Sequence, residues 1–333
     1  MENLDVMVLR TLRDWRAAGQ SALLATVVRT WGSSPRPVGS IMALRADGAV
    51  MGSVSGGCIE DDLIERYRGA IAHEPPRLVR YGVSADEAHR FGLPCGGTLE
   101  LLLEFQPDAG SLAELVRVLE SGRLVRRHTR LADGRVDLEP AEVPSDLRLD
   151  DKELVNHFGP EWRMLLIGAG QISEYLATMA LFSGFAVTVC DPREEYRGSW
   201  QVPGARLVTG MPDDVVAGFG ADARSCVIAL THDPKLDDLA LIDALETDAF
   251  YIGAIGSRRN DAARRQRLVE HFGQTPASLA RLRGPIGLYI GSKTPPEIAV
   301  SVMAEVLAVK NGVVLPAQMQ VAEGKELHAQ SRG

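Results

Sequence analysis

The sequence predicts an α/β protein of two domains, a mixed α/β domain followed by a domain built on a doubly wound parallel sheet. The chain has 333 residues, which makes about two domains at ~150 residues each. Buried strands and helices alternate from residue 162 onward, which is typical of a parallel sheet. A glycine-rich turn joins the first strand and helix of that alternation. We place the domains at residues 1–131 and 162–316, with a connecting segment at 132–161 and a polar tail at 317–333.

The first domain begins with a helix over residues 4–18, where apolar residues recur at helical spacing before Gly19 offers a stop. The turn at Asp47 and Gly48 indicates that two of the following strands form a hairpin. The later elements are strands at 22–28, 41–45 and 50–54, a helix at 59–72, a strand at 98–105, a helix at 111–120 and a strand at 124–131. The connecting segment is acidic and contains prolines, and its length favours a short strand or turn within it.

The second domain starts with a buried strand at 162–167 and a helix that runs to about residue 183. The alternation continues with strands at 185–190, 226–230 and 250–255, and with helices at 212–218, 236–246, 258–271 and 295–309. The last helix carries an apolar stripe of Ile298, Val302, Val306 and Val309. This stripe favours packing against the sheet, with the seam of a homodimer as the alternative.

Composition argues against several classes of function. The formal charge is -8, from 36 basic and 44 acidic side chains, and the absence of a long Lys/Arg run argues against nucleic acid as a partner. No stretch approaches the ~20 apolar residues that span a bilayer. The acidic start lacks the plan of a secretory signal, so we expect a cytoplasmic protein without membrane contact. The four cysteines form no C-x-x-C pair, which argues against a disulfide framework or a structural zinc site.

The turn that opens the second domain carries a dinucleotide-binding pattern, G-x-G-x-x-S, over residues 168–173. Gly168 permits the tight turn, and Gly170 lets the backbone approach a pyrophosphate at the helix N-terminus. Asp191 ends the next strand, near the position of the acid that binds the ribose of NAD. The pattern predicts a Rossmann-type fold. It fits NAD(P) or another dinucleotide, and it also fits a scaffold that keeps the turn and binds something else or nothing.

The first domain holds a thiol in a turn of small residues, Ser55, Gly56, Gly57 and Cys58, with Glu60 two positions further on. A helix is predicted to begin just after this turn, and a helix N-terminus stabilises a thiolate. The paired glycines can also form a nest of backbone N–H groups that holds an anion. The alternative is that these are small residues packed in a tight turn.

A second thiol has similar surroundings, because Cys95 is followed by Gly96 and Gly97 at the start of a strand. Two such loops suggest a single site to which both contribute. A third loop, residues 32–40, is rich in hydroxyl groups and carries Arg36, which could bind a phosphate together with backbone N–H groups. The alternative interpretation of this third loop is a plain connection in a hairpin.

His232 follows a strand of the second domain, at the edge where open α/β sheets bind ligands. It is a binding candidate, and the alternative is that it only caps the following helix. The sequence contains no nucleophile elbow, no H-E-x-x-H motif and no P-loop, and no carboxylate pair stands out for acid–base chemistry. We therefore name no catalytic residue and no metal-binding cluster.

Seven segments, in order along the chain, resemble those of the XdhC/CoxI family, the maturation factors of xanthine dehydrogenase and related molybdenum hydroxylases. They are GSSPRPVGS (32–40), GSVSGGCIE (52–60), LPCGGTLELLLE (93–104), LLIGAGQIS (165–173), THD (231–233), YIGAIGSRRN (251–260) and GPIGLYIGSKTPPEIAVSVMAEVLA (284–308). The resemblance covers nearly the whole chain and is far more specific than the dinucleotide pattern alone.

The resemblance implies a cofactor-insertion chaperone rather than a turnover enzyme. Family members look like proteins that bind molybdenum cofactor, of the molybdopterin type, and protect it while a cysteine desulfurase exchanges an oxo for a sulfido ligand. They then deliver it to an apo xanthine dehydrogenase or related hydroxylase. Carried over by position, Cys58 and Cys95 with their glycines become cofactor contacts, either thiol being a soft contact to molybdenum, and Arg36 a phosphate contact. Two alternatives stay open, an NAD(P)-dependent oxidoreductase and an adaptor that only mediates assembly.

Overall fold

The structure is a computed structural model of the chain, and it describes residues 4–32, 34, 36–82, 98–321 and 323–325. The chain divides into two compact units, which are formed by Glu2–Pro160 and by Glu161–Gly333. Each unit has its own sheets, helices and buried core.

A five-stranded antiparallel sheet forms the centre of the first unit. Its strands are β1 (Ala22–Trp31), β2 (Ile41–Arg45), β3 (Val50–Gly52), β4 (Arg77–Tyr81) and β5 (Thr98–Phe105), in the order β3-β2-β1-β5-β4. The predicted hairpin joins β2 to β3, where Gly48 has a φ of 96° that favours glycine. The sequence pattern does not reveal β4, because this short edge strand carries two arginines among its five residues.

Among the described residues of this unit, three helices cover the sheet, namely α1 (Leu4–Ala17), α2 (Cys58–Tyr67) and α3 (Ala109–Glu120). One face of the sheet packs against α2, where Ile59 and Leu63 are fully buried. The other face packs against α1 and α3, through residues that include Leu12 and Leu115. Helix α2 ends five residues before the predicted limit of residue 72, because Arg68 is extended and the chain turns there.

The segment that we expected to connect two domains is built into the first unit. A four-stranded antiparallel sheet contains β6 (Val125–Arg130), β7 (Val136–Pro140), β8 (Arg148–Leu149) and β9 (Glu153–Phe158), in the order β7-β6-β9-β8. Three of these strands lie within residues 132–161. Strands β7 and β8 are short and expose charged side chains, so their apolar period is weak. Strands β7 and β9 pair with β6, β8 pairs with β9, and Leu154 and Phe158 of β9 are buried.

The second unit has the Rossmann-type fold that the sequence predicts. Its six parallel strands are β10 (Trp162–Ile167), β11 (Phe185–Cys190), β12 (Arg206–Val208), β13 (Ser225–Ala229), β14 (Tyr251–Ala254) and β15 (Leu282–Arg283), in the order β12-β11-β10-β13-β14-β15. The strand order reverses between β10 and β13, and loops at such a switch point form the usual ligand crevice of this fold.

Helices lie on both faces of the parallel sheet. They are α4 (Gln171–Phe182), α5 (Glu194–Arg197), α6 (Pro212–Phe219), α7 (Pro234–Leu245), α8 (Arg258–Phe272), α9 (Pro276–Leu279) and α10 (Pro295–Lys310). Helices α4 and α10 enclose one half of the core, and α6 and α7 enclose the other. The apolar stripe of α10 packs inward, since Val302 and Val306 are fully buried, as its spacing favours.

Candidate functional site

The antiparallel sheet of the first unit brings three loops to one end. At this end β1 finishes at Trp31, which pairs with Thr98, the first residue of β5. Strand β3 finishes there at Gly52, because it pairs with the start of β2. Strand β4 also finishes there, where Tyr81 pairs with Leu99. The loop that carries Arg36, the loop that carries Cys58 and both flanks of the segment that carries Cys95 therefore share one end of the sheet.

The loop between β3 and α2 is organised around the carboxylate of Glu60. This carboxylate accepts hydrogen bonds from four backbone N–H groups and two serine hydroxyls. The backbone donors are Val54 (2.8 Å), Ser55 (2.8 Å), Gly56 (3.2 Å) and Gly57 (2.9 Å), and the hydroxyl donors are Ser53 (2.8 Å) and Ser55. The nest that the paired glycines predict is therefore present, and the anion within it is the protein's own side chain.

Glu60 is only 8% exposed, so it must be held by these donors. Burial alone would raise the pKa of its carboxyl group, but the donors from Ser55, Ser53 and Gly56 outweigh burial and hold the pKa well below its usual range. The carboxylate is thus ionised at neutral pH. Because it uses the N–H groups of Gly56 and Gly57, those groups are not available to a phosphate, contrary to the direct anion-binding role that we expected.

The loop presents the thiol of Cys58 to solvent. Cys58 is the first residue of α2 and is an exposed free cysteine. A side chain built at Gly56 or Gly57 would meet nothing within 4 Å, so the space beside this thiol is open. Gly56 has a φ of 105°, which glycine adopts without strain. The arrangement is a fixed loop that carries an accessible soft nucleophile.

Arg36 contacts this loop from the neighbouring connection. Its Nε donates to the hydroxyl of Ser53 at 3.3 Å, and that hydroxyl donates to Glu60. The guanidinium is exposed and lies close to the thiol-bearing loop. Of the residues predicted for the first domain, the structure thus brings together Arg36, Ser55, Gly56, Gly57, Cys58 and Glu60. Cys95, Gly96 and Gly97 lie outside the described residues.

In the second unit, Asp191 follows β11 beside the glycine-rich turn, as the dinucleotide pattern predicts. Its side chain is fully buried, and the backbone N–H of Ala169 donates to it at 2.8 Å. The guanidinium of Arg193 binds both carboxylate oxygens, each at 2.9 Å, and stacks 3.9 Å from the centre of the Tyr196 ring. Burial would raise the pKa of Asp191, but these donors lower it below its usual value. The carboxylate predicted to bind a ribose is thus bound within the chain.

The glycine-rich turn lies against the loop that carries His232. Gly168 has a φ of 109°, and a Cβ atom at this position would lie 3.0 Å from the Thr231 side chain, so the approach requires glycine. Gly170 is the N-cap of α4 and has open space beside it. His232 is exposed and has a φ of 63°, which is uncommon for a residue other than glycine. Strained backbone of this kind clusters at functional sites.

A buried ion pair that no sequence pattern marks anchors the His232 loop. The carboxylate of Asp237 accepts from the backbone N–H and the hydroxyl of Thr231, at 3.1 and 2.6 Å. Asp237 is fully buried and lies 3.4 Å from the guanidinium of Arg264. Arg193 was missed as well, and no periodic signal marks either arginine. The only clue to Arg193 is its position two residues after the acid that ends a strand.

Two further findings concern metals and membranes. Within the described ranges, no three His, Cys, Asp or Glu side chains are grouped so as to hold a metal ion. In the same part of the chain, no helix has both the length and the apolar character needed to cross a bilayer.

The first unit carries a thiol on an ordered loop, and the second unit has a Rossmann-type fold. Together they define a class of two-part α/β proteins. Residues 15–82 match the model of the XdhC and CoxI family, and residues 164–306 match the model of the XdhC Rossmann domain. The chain belongs to the XdhC and CoxI family, as the seven segments indicate.

Relatives match over nearly the full chain. A Bacillus subtilis protein described as a probable subunit of xanthine dehydrogenase is 28% identical, over 95% of this chain and 100% of the relative. The molybdenum cofactor insertion chaperone PaoD of Escherichia coli is also 28% identical, over 91% of this chain and 88% of PaoD. The crystal structure of a xanthine dehydrogenase from Bacillus halodurans superposes with a TM-score of 0.70 and 25% identity, and covers 97% of this chain and 99% of that one.

Proposed function

We propose that this chain is a molybdenum-cofactor chaperone. In this proposal it binds the cofactor, protects it while a cysteine desulfurase replaces an oxo ligand by a sulfido ligand, and delivers it to a xanthine-dehydrogenase-type hydroxylase. The observation that carries the proposal is the exposed thiol of Cys58, held on a loop that Glu60 fixes and that Arg36 contacts. The similarity to PaoD, a cofactor insertion chaperone, supports the same function.

The chemistry of the cofactor suits this loop. Molybdenum cofactor is a pterin with a dithiolene, a terminal phosphate and a soft metal–sulfur centre, and a thiolate is a soft ligand for such a centre. Because the six donors around Glu60 fix the loop before any ligand arrives, little further ordering is needed when Cys58 binds. Arg36 would contact the phosphate. A thiol of this kind stays reduced in the cytoplasm, where we place the protein.

The residues of the second loop complete the proposal. Cys95, Gly96 and Gly97 are proposed as further cofactor contacts, on the basis of the resemblance.

In the second unit, Gly168, Gly170 and His232 are the proposed contacts of a ligand at the switch point of the sheet. Asp191 contributes there only by holding the turn, since its carboxylate is bound by Ala169 and Arg193. An NAD(P) cofactor would have to displace Arg193 from Asp191 in order to bind its ribose there.

The test is an anaerobic titration of the purified protein with cofactor released from a molybdenum enzyme, with NADH titrated in parallel. We expect saturable cofactor binding that weakens in Cys58→Ala, and no saturable binding of NADH at micromolar concentrations. The loaded protein should then activate an apo-hydroxylase, and should do so more completely after incubation with a cysteine desulfurase and cysteine. Tight NADH binding without cofactor uptake would overturn the proposal in favour of an oxidoreductase.

A further inference from the structure

An exposed aromatic ring lies at the same end of the antiparallel sheet as the Cys58 loop, and no predicted role explains it. Trp31 is the last residue of β1 and is 44% exposed. The guanidinium of Arg80, on β4, lies over its ring at 5.0 Å from the ring centre. An indole that keeps so much of its surface in water is available to a further planar group.

A buried carboxylate fixes this arrangement. Glu100 is 5% exposed and accepts from Nε and Nη2 of Arg80, at 3.2 and 2.9 Å. Its other oxygen accepts from Arg29 at 3.0 Å. The three residues lie in one row across the sheet, because Arg29 and Arg80 are the cross-strand partners of Glu100 on its two sides. We call Trp31, Arg80, Glu100 and Arg29 the Trp31 platform.

The platform carries a net positive charge, because two guanidinium groups share one carboxylate. Both arginine side chains remain about half exposed, at 45% for Arg29 and 50% for Arg80. Because Arg80 donates two hydrogen bonds to Glu100, its guanidinium is held near the indole rather than moving freely. The result is a prearranged aromatic surface with a cationic surround, which suits a planar heteroaromatic ligand that carries a negative charge elsewhere.

The Glu60 loop leaves the recognition of an anionic ligand at this end of the sheet to other groups. The backbone N–H groups that would otherwise hold a ligand anion are used by Glu60. Recognition must then come from side chains, and among the described residues at this end of the sheet the candidates are the Cys58 thiol, the Arg36 guanidinium and the Trp31 platform. Of these, only Trp31 offers a face on which a ring system can stack.

We propose that the Trp31 platform binds the pterin ring of the cofactor by stacking. The inference rests on the proposed function, because it takes molybdenum cofactor as the ligand of this unit. In this arrangement the pterin lies on the indole, with Arg80 held in place by Glu100. Stacking of a heterocyclic base on an aromatic side chain contributes about 1–3 kcal/mol, which corresponds to a change in affinity of about 5- to 150-fold.

The chain offers a matched control for Trp31. Trp15, on α1, also has a guanidinium over its ring, that of Arg45 at 5.0 Å, and Arg45 is likewise held by a carboxylate, that of Asp47. This second pair lies at the opposite end of the sheet, since Arg45 pairs with Ala22 at the start of β1. Trp31→Leu and Trp15→Leu therefore make the same chemical change at two ends of one sheet. Trp31→Tyr keeps an aromatic ring and serves as the rescue variant.

The experiment measures the Kd of molybdenum cofactor, released anaerobically from a molybdenum enzyme, and of pterin-6-carboxylate as a metal-free probe. We expect Trp31→Leu to weaken both by about tenfold, and Trp31→Tyr and Trp15→Leu to stay within about threefold of wild type. Pterin-6-carboxylate should quench tryptophan fluorescence in wild type and Trp15→Leu, with the response lost in Trp31→Leu.

Each outcome decides a different point. Wild-type binding of both ligands that Trp31→Leu leaves unchanged overturns the platform and leaves the chaperone function standing. Normal cofactor binding by Trp31→Leu combined with failed transfer to an apo-hydroxylase also overturns it, since Trp31 would then contact the partner protein. If wild type binds neither ligand, the proposed function falls and the platform falls with it.

Discussion

Glu60 and Ser55 are joined twice, since both the backbone N–H and the hydroxyl of Ser55 donate to the Glu60 carboxylate. With the donors from Ser53, Val54, Gly56 and Gly57, this pairing closes a loop that would otherwise have many conformations. The pairing thereby fixes the position of Cys58, two residues before Glu60 and exposed. A buried carboxylate thus does in this loop what a bound phosphate does in other glycine-rich turns.

Replacement of Glu60 by Gln should destabilise the first unit. Gln offers one acceptor oxygen to six donors and places an N–H₂ group against them, so we expect the free energy of unfolding to fall by about 2 kcal/mol at pH 7. The measurement is chemical denaturation followed by a probe of the first unit. Glu65→Gln, on the exposed face of the same helix, is the control and should change stability by less than about 0.5 kcal/mol.

The same substitution has a pH dependence of known sign. The pKa of Glu60 is depressed in the folded state, so its contribution is present in full above the usual carboxyl pKa of about 4.5 and is lost as pH falls toward the folded value. The difference between wild type and Glu60→Gln should therefore shrink by up to about 1.4 kcal/mol per pH unit below about pH 4.5. A difference that stays constant down to pH 3 would mean that Glu60 is not held as an anion.

Cys58→Ala should separate binding from stability. The thiol is exposed, so its loss should change the free energy of unfolding by less than about 1 kcal/mol while cofactor retention falls. The control is Cys226→Ala, since Cys226 is fully buried in β13 and its loss should lower stability with retention unchanged. Unfolding of Cys58→Ala would show that this thiol is part of the core.

Thiol labelling of the native protein, followed by peptide mapping, checks the same assignment chemically. Cys58 should react rapidly. Cys190 should react only on unfolding, because burial raises the pKa of its thiol to about 12 and keeps reagents away. Cys226, whose pKa burial also raises, should behave like Cys190. Equal labelling rates for Cys58 and Cys226 in the native state would contradict the structure.

Local signals explain what the sequence predicts correctly. The turn at Gly168, the start of α2 near Cys58 and most strands of the second unit follow from glycine spacing and apolar period. The role of Glu60 does not follow, because it depends on backbone N–H groups that converge only once residues 54–57 have folded. The Trp31 platform does not follow either, because it needs β4, whose two arginines hide the strand pattern. Long-range polar pairs of this kind leave no periodic trace.

Arg193→Ala removes the guanidinium that binds the carboxylate of Asp191. Without the guanidinium, a fully buried carboxylate keeps only backbone donors, so we expect the free energy of unfolding to fall by about 2 kcal/mol or more at pH 7. The pKa of Asp191 is lowered in wild type, so the contribution of the pair is present above its usual pKa of about 3.8 and is lost as pH falls below it. The difference in the free energy of unfolding between wild type and Arg193→Ala should therefore become smaller as pH falls below about 3.8.

Arg197→Ala is the matched control for Arg193→Ala. Arg197 donates to the backbone carbonyls of Asp191 and Pro192 and not to the carboxylate. Arg197→Ala should therefore lower the free energy of unfolding by an amount that does not change with pH in the acid range. Parallel pH profiles for the two variants, measured by urea denaturation between pH 3 and pH 7, would show that the Asp191 carboxylate does not depend on Arg193.

Two substitutions of His232 separate the effect of its backbone conformation from the effect of its imidazole. Its φ of 63° lies in the left-handed region, which costs an ordinary residue about 1–2 kcal/mol and a glycine almost nothing. We therefore expect the free energy of unfolding of His232→Gly to lie within about 1 kcal/mol of the wild-type value. That of His232→Val should be about 1–2 kcal/mol lower than wild type. Because His232→Gly keeps the loop and removes only the imidazole, weaker ligand binding by this variant would report on the imidazole itself. Equal stability of the Gly and Val variants would show that the loop does not hold this residue in the left-handed region.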